Sequence, residues 1–242
     1  MKYKLQFLQY NECSILVEWP AIIDKNMLND ILNFKNLIQN KYGKQIVEVI
    51  AAYNSILIFY VSTIEDVNSV FLDLELLYDN CNSISVIESN TFRIPVCYDD
   101  EFALDIDDCS RTKKLTKQEI IKRHVDPIYT VFFIGFLPGF LYLGGLDFKL
   151  HLDRKKTPNL NVKKGAVAIG GKQTGIYPQD SPGGWHIIGN SPIELFNPKQ
   201  DPPCFIKVGD KVKFHAISKS EYFEIQNEIT LSRFDIKTLL IV

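Results

Sequence analysis

Glycine is distributed very unevenly along this chain, and that distribution constrains the fold more than any other feature. Twelve of the thirteen glycines lie between Gly135 and Gly209. Glycine adopts positive φ angles and lets another backbone or a ligand approach closely, whereas proline fixes φ and removes a hydrogen-bond donor. The segment Gly165–Ser191 combines both residue types with a tryptophan, so it specifies shaped loops. We expect a regular domain over residues 1–90 and a loop-rich domain over residues 91–242, with function on the loops of the second.

The length, charge and cysteine content exclude several classes of protein. A chain of 242 residues can bury one large core or two modest ones. The formal net charge of −2 gives no general attraction to nucleic acid or to an anionic membrane. No run reaches the ~18 apolar residues that span a bilayer, and the N-terminus lacks the apolar block of a secretion signal. The five cysteines are widely spaced and form no CxxC pair, so we expect a cytoplasmic protein that binds no metal ion.

The predicted N-terminal domain alternates between strand and helix patterns. From Asp24 to Gly43 apolar residues recur at steps of three and four, which predicts an amphipathic helix. Val67–Tyr78 carries a second apolar stripe. The resulting order β, β, α, β, β, α, β predicts an α+β domain of the ferredoxin-like type, an antiparallel sheet with two helices. Its predicted strands are Tyr3–Tyr10, Cys13–Trp19, Ile46–Ala52, Ile56–Val61 and Ile84–Ile87.

The predicted C-terminal domain is mainly β, with a helix near each end. Thr116 and Glu119 form a capping-box pattern, and the helix that they open ends near His124, before Pro127. Short apolar runs punctuated by glycine and proline predict a barrel or a sandwich. The predicted strands are Phe92–Val96, Tyr129–Phe136, Ala166–Ile169, Trp185–Ile188, Ile193–Phe196, Phe205–Val208 and Lys211–Ala216, and a helix over Ser218–Glu228 follows them.

Two nucleotide-binding motifs and one nucleophile motif fail when they are compared residue by residue. Gly171 and Lys172 resemble the end of a P-loop, but Ala166 stands where the first glycine belongs. Gln173 replaces the Ser or Thr that binds magnesium in that motif. No GxGxxG sequence follows a strand and opens a helix, and Ser181 lacks the flanking glycines of a nucleophile elbow. We therefore expect the chain neither to bind ATP alone nor to be a self-contained serine hydrolase.

The best candidates for a binding site lie in the second glycine-rich segment. Gln173, Thr174 and Tyr177 occupy a predicted turn, and Trp185 follows a pair of glycines. Fixed amide, hydroxyl and phenol groups beside an aromatic surface suit a small polar ligand; loops that merely close a barrel end are the alternative interpretation. His124 lies at a predicted helix C-terminus, which favours its protonated form and would let it hold an acidic group. A hydrogen-bonded structural histidine is the alternative. Three aromatic residues fit either a core or an intersubunit surface: Phe136, Phe140 and Tyr142.

These motifs resemble those of the KipI/PxpB family, also called the allophanate hydrolase subunit 1 family, which includes the B subunit of the bacterial ATP-dependent 5-oxoprolinase. The resemblance is strong over Phe92–Ile217, whereas the N-terminal domain matches only in its element order. The chain departs from the family at Asn159 and Asn190, where the family has arginine. The matching segments are Gly135-Phe136, Pro138-Gly139-Phe140, Tyr142 to Asp147, Thr157-Pro158, Gly165 to Val167, Gln173 to Pro178, Ser181 to Trp185, Ile188-Gly189, Asp201 to Pro203 and Gly209-Asp210.

The resemblance implies a cyclophilin-like β-barrel in the second domain and a non-autonomous subunit of an ATP-dependent cyclic-amide hydrolase. Such a chain forms a hetero-oligomer with a PxpC-type subunit, acts with a PxpA-type component, and converts 5-oxo-L-proline to L-glutamate, with ATP bound mainly by a partner. By the same resemblance the expected catalytic residues are His124, Gln173 and Tyr177. The expected substrate-binding residues are Phe136, Pro138, Thr157, Thr174, Ser181 and Trp185.

Three other functions compete with this hypothesis. The KipI branch of the family inhibits a sensor histidine kinase, so the chain could be a regulatory binding protein with a kinase as its partner. A ureide such as allophanate could replace 5-oxoproline as the substrate. Peptidyl-prolyl isomerase activity is disfavoured, because a fold does not carry a function with it and the sequence pattern of a cyclophilin active site is missing.

Overall fold

The backbone divides between residues 88 and 89 into two units, residues 1–88 and 89–242. The computed structural model describes residues 2–80 and 89–241. The predicted strand at Ile84–Ile87 lies outside the described residues. That the two units fold independently, as domains over residues 1–90 and 91–242, stays a prediction.

The N-terminal unit is a four-stranded antiparallel sheet with two helices. Its strands follow the spatial order β1-β2-β4-β3, and α1 packs against β3, β4 and α2. The side chain of Asp24 caps α1 at its start, as the sequence pattern predicts. The element order is confirmed over the described residues, whereas the ferredoxin-like arrangement stays a prediction. The elements are β1 Gln6–Asn11, β2 Ser14–Glu18, α1 Lys25–Tyr42, β3 Ile46–Ala51, β4 Ser55–Tyr60 and α2 Val67–Asp79.

The C-terminal unit is a closed seven-stranded barrel of order β10-β7-β6-β13-β5-β12-β9. The β5 and β13 strands pair in parallel, and a separate two-stranded sheet joins β8 to β11. The elements are β5 Thr91–Cys97, α3 Ile106–Lys113, α4 Lys117–Val125, β6 Tyr129–Ile134, β7 Leu141–Gly144, β8 Asn159–Val162, β9 Ala166–Gly170, β10 Gln173–Ile176, β11 Ser181–Gly183, β12 His186–Asn190, β13 Lys211–Ile217 and α5 Lys219–Thr230, with single 3₁₀ turns at Phe148–Leu150 and Ile236–Leu239.

Both α4 and α5 lie where the sequence predicts a helix, and each begins at a capping box, of which only the first is predicted from the sequence. Thr116 and Glu119 form the predicted capping box at the start of α4. Ser218 and Glu221 form another at the start of α5. Within residues 2–80 and 89–241, no helix combines the length and the apolar character needed to cross a membrane.

Two predicted strands are wrong. Ile193–Phe196 and Phe205–Val208 run as irregular chain, although Ile193 and Ile206 are almost fully buried. One proline precedes the first segment, and three more lie between the two segments. A proline has no backbone N–H and cannot donate a hydrogen bond to a neighbouring strand. The apolar pattern of these segments therefore indicates burial and does not indicate strand pairing.

The opposite error occurs at Gln173–Ile176, which the sequence places in a turn. The structure makes it a strand, β10, paired with β7 on one side and with β9 on the other. The turn lies just before it, at Gly171, whose φ of +64° closes the β9–β10 hairpin. The sequence also gives no prediction for α3.

Side chains alternate between two cores along the strands that carry the glycine-rich segment. Val167 and Ile169 of β9 face the main core of the barrel. Ala166 and Ala168, their neighbours, face a second and smaller core on the opposite side of the sheet. This period of two is what a strand requires, and it sorts the candidate site residues between two separate environments.

Candidate functional site

A cleft of about 390 Å³ opens on the side of the second core, and we call it the aromatic cleft. Its volume is near the lower end of the range for small-molecule pockets. Its walls are mostly apolar, with one guanidinium, two phenols and one aliphatic hydroxyl. The residues that line it are Phe136, Leu137, Phe140, Tyr142, Arg154, Pro158, Tyr177, Ser181, Pro182, Gly183, Gly184 and Trp185.

Edge-to-face ring contacts centred on Phe140 hold the cleft open. Its ring centroid lies 5.0 Å from that of Tyr177 and 5.6 Å from that of Trp185, with the planes almost perpendicular. The exposed ring of Phe136 contacts Phe140 in the same way at the mouth, 5.6 Å away. Such pairs prefer this geometry because the positive edge of one ring meets the negative face of the other. The rings therefore brace one another and leave a fixed apolar wall.

Two glycines permit this packing through close approach. A Cβ atom at Gly170 would lie 2.4 Å from the indole ring of Trp185. A Cβ atom at Gly183 would lie 2.2 Å from the phenol oxygen of Tyr177. Any larger residue at either position would displace a ring from the wall, so part of the glycine pattern in the sequence is explained by aromatic packing beneath the cleft.

The polar groups of the cleft are suited to binding. The Arg154 guanidinium lies over the Trp185 ring, 5.8 Å from its centroid. Burial raises the pKa of Tyr142 and of Tyr177, so both phenols keep their protons at neutral pH and can donate. The Ser181 hydroxyl is buried and finds no hydrogen-bond partner within the described part of the chain. A ligand in the cleft would meet one cation and several neutral donors.

The segment that carries Arg154 is anchored on both sides. The Nε2 atom of His186 donates to the carbonyl of Asp153 over 2.9 Å, and the amide of Lys155 donates to the carbonyl of Gly184 over 2.7 Å. The ammonium of Lys155 also pairs with Asp105 at 2.5 Å. The backbone on either side of Arg154 is thus tied to the loop and strand that hold Trp185.

His124 lies in the main core and not in the cleft. It is fully buried and stacks on Phe214, with ring centroids 4.6 Å apart. The Thr174 hydroxyl donates to the carbonyl of Ala168, so it accepts from the Nε2–H of His124 over 2.9 Å. The Nδ1 atom of His124 then accepts from the Tyr98 hydroxyl over 2.7 Å. When the imidazole is neutral, each N–H and O–H donor in this series of hydrogen bonds has an acceptor.

The prediction that His124 is protonated is wrong, and the alternative of a hydrogen-bonded structural histidine fits the structure. Burial lowers the pKa of this imidazole to about 3, because a charge in the core would lose its hydration. A helix C-terminus favours a cation by about 0.3–2 kcal/mol, which is too little to offset that loss. His124 therefore holds no anion and is neutral at physiological pH.

The remaining predicted site residues divide between the cleft and its surroundings. Gln173 is half-buried at the start of β10, on the face opposite Thr174, and it does not line the cleft. Pro138 and Thr157 are exposed neighbours of lining residues. The residues that the structure does bring together in the cleft are Phe136, Tyr177, Ser181 and Trp185.

Arg154 is a cleft residue that no pattern in the sequence predicts. It stands in the run Asp153–Lys156, which is typical of a solvated surface. Its position over Trp185 depends on contacts with residues about thirty positions downstream, which no local signal reveals. For Phe140 and Tyr142, core and intersubunit roles are both open from the sequence: the structure places Phe140 in the second core and packs Tyr142 against it, and both also line the cleft.

Neither a nucleotide loop nor a metal centre is built into the described residues. Gly171 and Lys172 form the tight connection between two antiparallel strands, so they do not open a helix as a P-loop does. In residues 2–80 and 89–241, no three His, Cys, Asp or Glu side chains are grouped to hold a metal ion.

Sequence comparisons place the chain among characterised proteins. The family profile of the carboxyltransferase domain, subdomains C and D, matches residues 5–206. The 5-oxoprolinase B subunit of Bacillus subtilis is 29% identical over 238 residues, which cover 94% of this chain and 99% of that protein. The protein of the same name from Haemophilus influenzae is 35% identical over 210 residues, which cover 87% of this chain and 97% of that protein. These matches confirm the resemblance to the KipI/PxpB family.

A structural comparison agrees at the level of the fold. The crystal structure of the urea amidolyase of K. lactis superimposes with a TM-score of 0.80 over 96% of this chain, at 19% identity. The chain spans 16% of the length of that protein, so this likeness shows the fold alone. Because the family profile covers most of the chain and the Haemophilus relative is spanned almost completely, the chain belongs to the family of the carboxyltransferase domain, subdomains C and D, together with the B subunits of 5-oxoprolinase.

Proposed function

We propose that this chain is the B subunit of an ATP-dependent 5-oxoprolinase and that, with its partner subunits, it hydrolyses 5-oxo-L-proline to L-glutamate. The B subunits of Bacillus subtilis and Haemophilus influenzae align with it over nearly their whole length. Those names do not favour a histidine-kinase inhibitor. A cytoplasmic location goes with this proposal, because ATP is supplied there.

The single observation that carries the proposal is the mismatch between what the aromatic cleft can bind and what it can catalyse. Its walls offer apolar surface, one cation and neutral hydroxyl donors. They include no carboxylate, histidine or cysteine, and the hydroxyls of Ser181, Tyr142 and Tyr177 therefore have no base among the lining residues to activate them. In this proposal the cleft binds a ligand, and residues of another polypeptide supply the base that opening an amide ring requires.

The chemistry of a lactam explains why ATP and several subunits are required. An amide carbonyl is a poor electrophile, and phosphorylation of its oxygen turns it into a better one that water can attack. The described residues contain no P-loop, so we assign ATP mainly to a PxpC-type partner, and a PxpA-type component completes the assembly. This chain would contribute the apolar floor, the donors from Tyr177 and Ser181, and exclusion of bulk water.

The predicted site residues have distinct roles in this proposal. Phe136, Tyr177, Ser181 and Trp185 contact the substrate or the partner at the cleft. Thr174 and His124 are positioning residues, because they lie on the main-core side of β9 and β10 and do not line the cleft. Gln173, Pro138 and Thr157 border the cleft and remain proposed contacts of the partner. We also assign the barrel to the cyclophilin-like type and the N-terminal unit to the ferredoxin-like type.

Reconstitution tests the proposal. The chain is co-purified with its PxpC-type and PxpA-type partners, and glutamate and ADP are quantified after addition of 5-oxo-L-proline and ATP. We expect ATP-dependent glutamate release by the complete assembly, and none when any one subunit or ATP is omitted. Hydrolysis by the isolated chain would contradict the proposal, as would an assembly that acts on allophanate but not on 5-oxoproline.

A further inference from the structure

Arg154 is a cation without a carboxylate partner in the part of the chain that the structure describes. Several nearby lysines have a carboxylate partner, although Lys156, like Arg154, has none among the described residues. Lys155 pairs with Asp105, Lys163 with Asp180 and Lys164 with Glu194. The guanidinium of Arg154 instead faces an indole ring. Stacking on an aromatic face leaves the N–H groups at the edge of a guanidinium free to bind an anion.

The backbone that carries Arg154 is held in place before a ligand binds. The residues on both sides of Arg154 are hydrogen-bonded to Gly184 and His186, which flank Trp185. Binding groups that are already in place lose little conformational entropy when the ligand arrives. Because Arg154 is exposed at the rim, it can meet a charged group that keeps partial contact with water.

The rest of the cleft suits a small and mostly apolar ring. Phe140 and Trp185 pack edge to face with ring centroids 5.6 Å apart, so the small part of each ring that stays exposed forms a fixed apolar wall. No lining residue carries a negative charge that would repel an anion. The Ser181 hydroxyl lacks a partner within the described residues, and an amide group offers both a donor and an acceptor to it. The walls thus match an apolar ring with one amide and one anionic group.

We propose that the aromatic cleft recognises cyclic amides that bear a carboxylate, with Arg154 binding the carboxylate and Ser181 the ring amide. This inference rests on the proposed function and names the chemical group of the substrate that this chain recognises. Two N–H groups of the guanidinium donate to the two carboxylate oxygens in the paired geometry that arginine favours. The ring packs on the aromatic wall.

The kinetic test compares two lactams that differ only in the carboxylate, 5-oxo-L-proline and 2-pyrrolidinone. In the reconstituted assembly, Arg154→Gln should raise the KM for 5-oxo-L-proline by about tenfold to a hundredfold, the range for loss of a hydrogen-bonded charge pair. The same variant should leave the KM for 2-pyrrolidinone within about twofold of wild type. Arg154→Lys should recover part of the difference, because a lysine keeps the charge but not the paired geometry.

Lys156→Gln is the matched control. Lys156 is also exposed, lies two residues away and does not line the cleft. Its replacement removes the same charge, so both KM values should stay at the wild-type level. An equal rise in both KM values for Arg154→Gln would overturn the proposal, and so would an unchanged KM for 5-oxo-L-proline.

A binding measurement on the isolated full chain separates this inference from the proposed function. The chain has two tryptophans, so its indole N–H groups give two resonances in an ¹H–¹⁵N spectrum. The Trp19 indole donates to Asp30 in the N-terminal unit and serves as an internal reference. We expect 5-oxo-L-proline to shift the Trp185 resonance and 2-pyrrolidinone to shift it at much higher concentrations only.

The two experiments give distinguishable outcomes. If the assembly releases no glutamate but 5-oxo-L-proline shifts Trp185 in the wild type and not in Arg154→Gln, the proposed function fails and carboxylate recognition stands. If the Trp185 resonance responds equally to both lactams, or to neither, recognition of the carboxylate by this cleft is refuted whatever the assembly catalyses.

Discussion

The two faces of β9 and β10 carry opposite kinds of polar chemistry. On the main-core face, Tyr98, His124 and Thr174 form a closed series of hydrogen bonds in which every proton has an acceptor. On the cleft face, Arg154 stacks on an indole and Ser181 has no partner among the described residues. The residue types that look catalytic are therefore hydrogen-bonded and sealed in the core, whereas the cleft has an exposed cation at Arg154 and a hydroxyl at Ser181 that lacks a partner among the described residues. Access and unmet hydrogen-bonding capacity identify the site better than residue type does.

Replacing His124 by Ala should change the free energy of unfolding more than any other proposed substitution. It is the most direct test of the difference between the two faces. The change removes a fully buried ring that stacks on Phe214, leaves the Tyr98 hydroxyl without its acceptor and removes the group that donates to the Thr174 hydroxyl. We expect the free energy of unfolding to fall by about 4 kcal/mol, measured by urea denaturation.

Arg154→Gln serves as the control from the cleft face, with an expected change within about 0.5 kcal/mol. If His124→Ala folded as stably as wild type yet abolished turnover of the assembly, the main-core face would be the catalytic one. The contrast between the two faces would then be wrong.

Adjacent glycines give the second prediction. Gly170→Ala places a methyl group against the Trp185 ring, so it should cost about 1–3 kcal/mol through overpacking and should shift the Trp185 emission. Gly171→Ala meets open space but must hold a φ of +64°, so it should cost about 1 kcal/mol and leave the emission unchanged. Thermal unfolding and tryptophan fluorescence provide both readouts. Identical fluorescence changes in the two variants would show that the close approach of Gly170 to the ring does not matter.

The pH dependence of stability gives the third and smallest prediction. His124 has a folded pKa of about 3 and an ordinary unfolded pKa near 6.5, so only the unfolded state gains a proton as the pH falls below 6.5. The free energy of unfolding should therefore decrease between pH 6.5 and 5, by at most about 1.4 kcal/mol for each pH unit from this residue. Burial also lowers the pKa of His215, which adds a contribution of the same sign.

The measurement is a series of urea denaturations from pH 7.5 to 5, together with the imidazole C–H resonances. The resonances of His124 should not titrate in this range. A His124 midpoint near 6.5 would show that the imidazole is exposed to solvent. On the cleft side, burial raises the pKa of both phenols, so ligand affinity should stay flat over the same interval.

Local signals in the sequence predicted those parts of the fold that depend on neighbouring residues. The capping box at Thr116 and the helix after Ser218 are set by residues three positions apart, and both were predicted correctly. The strands at Ile193–Phe196 and Phe205–Val208 were not, because apolar spacing reports burial whether or not a partner strand is present. Strand pairing is a property of the whole sheet.

The candidate site was predicted only in part, for a related reason. Tyr177 and Trp185 are predicted from the glycine-rich loops around them, whereas Ser181 is predicted only through the family resemblance. His124 was placed at the correct helix end, but its burial depends on Phe214 and Thr174, which are far away in the sequence. Arg154 had no local signal, because its contact with Trp185 exists only after the barrel closes.

Asp105 connects strand β12, which follows Trp185, to the segment that carries Arg154. One of its carboxylate oxygens accepts from the amide of Ile187 on β12, at 2.7 Å, and the other pairs with Lys155, next to the arginine. A single acidic side chain at the start of α3 thus contacts both β12 and the residue next to Arg154. The backbone next to Arg154 consequently cannot move away from the strand that follows Trp185 without breaking the ion pair between Asp105 and Lys155, so one carboxylate limits how far this side of the cleft can widen.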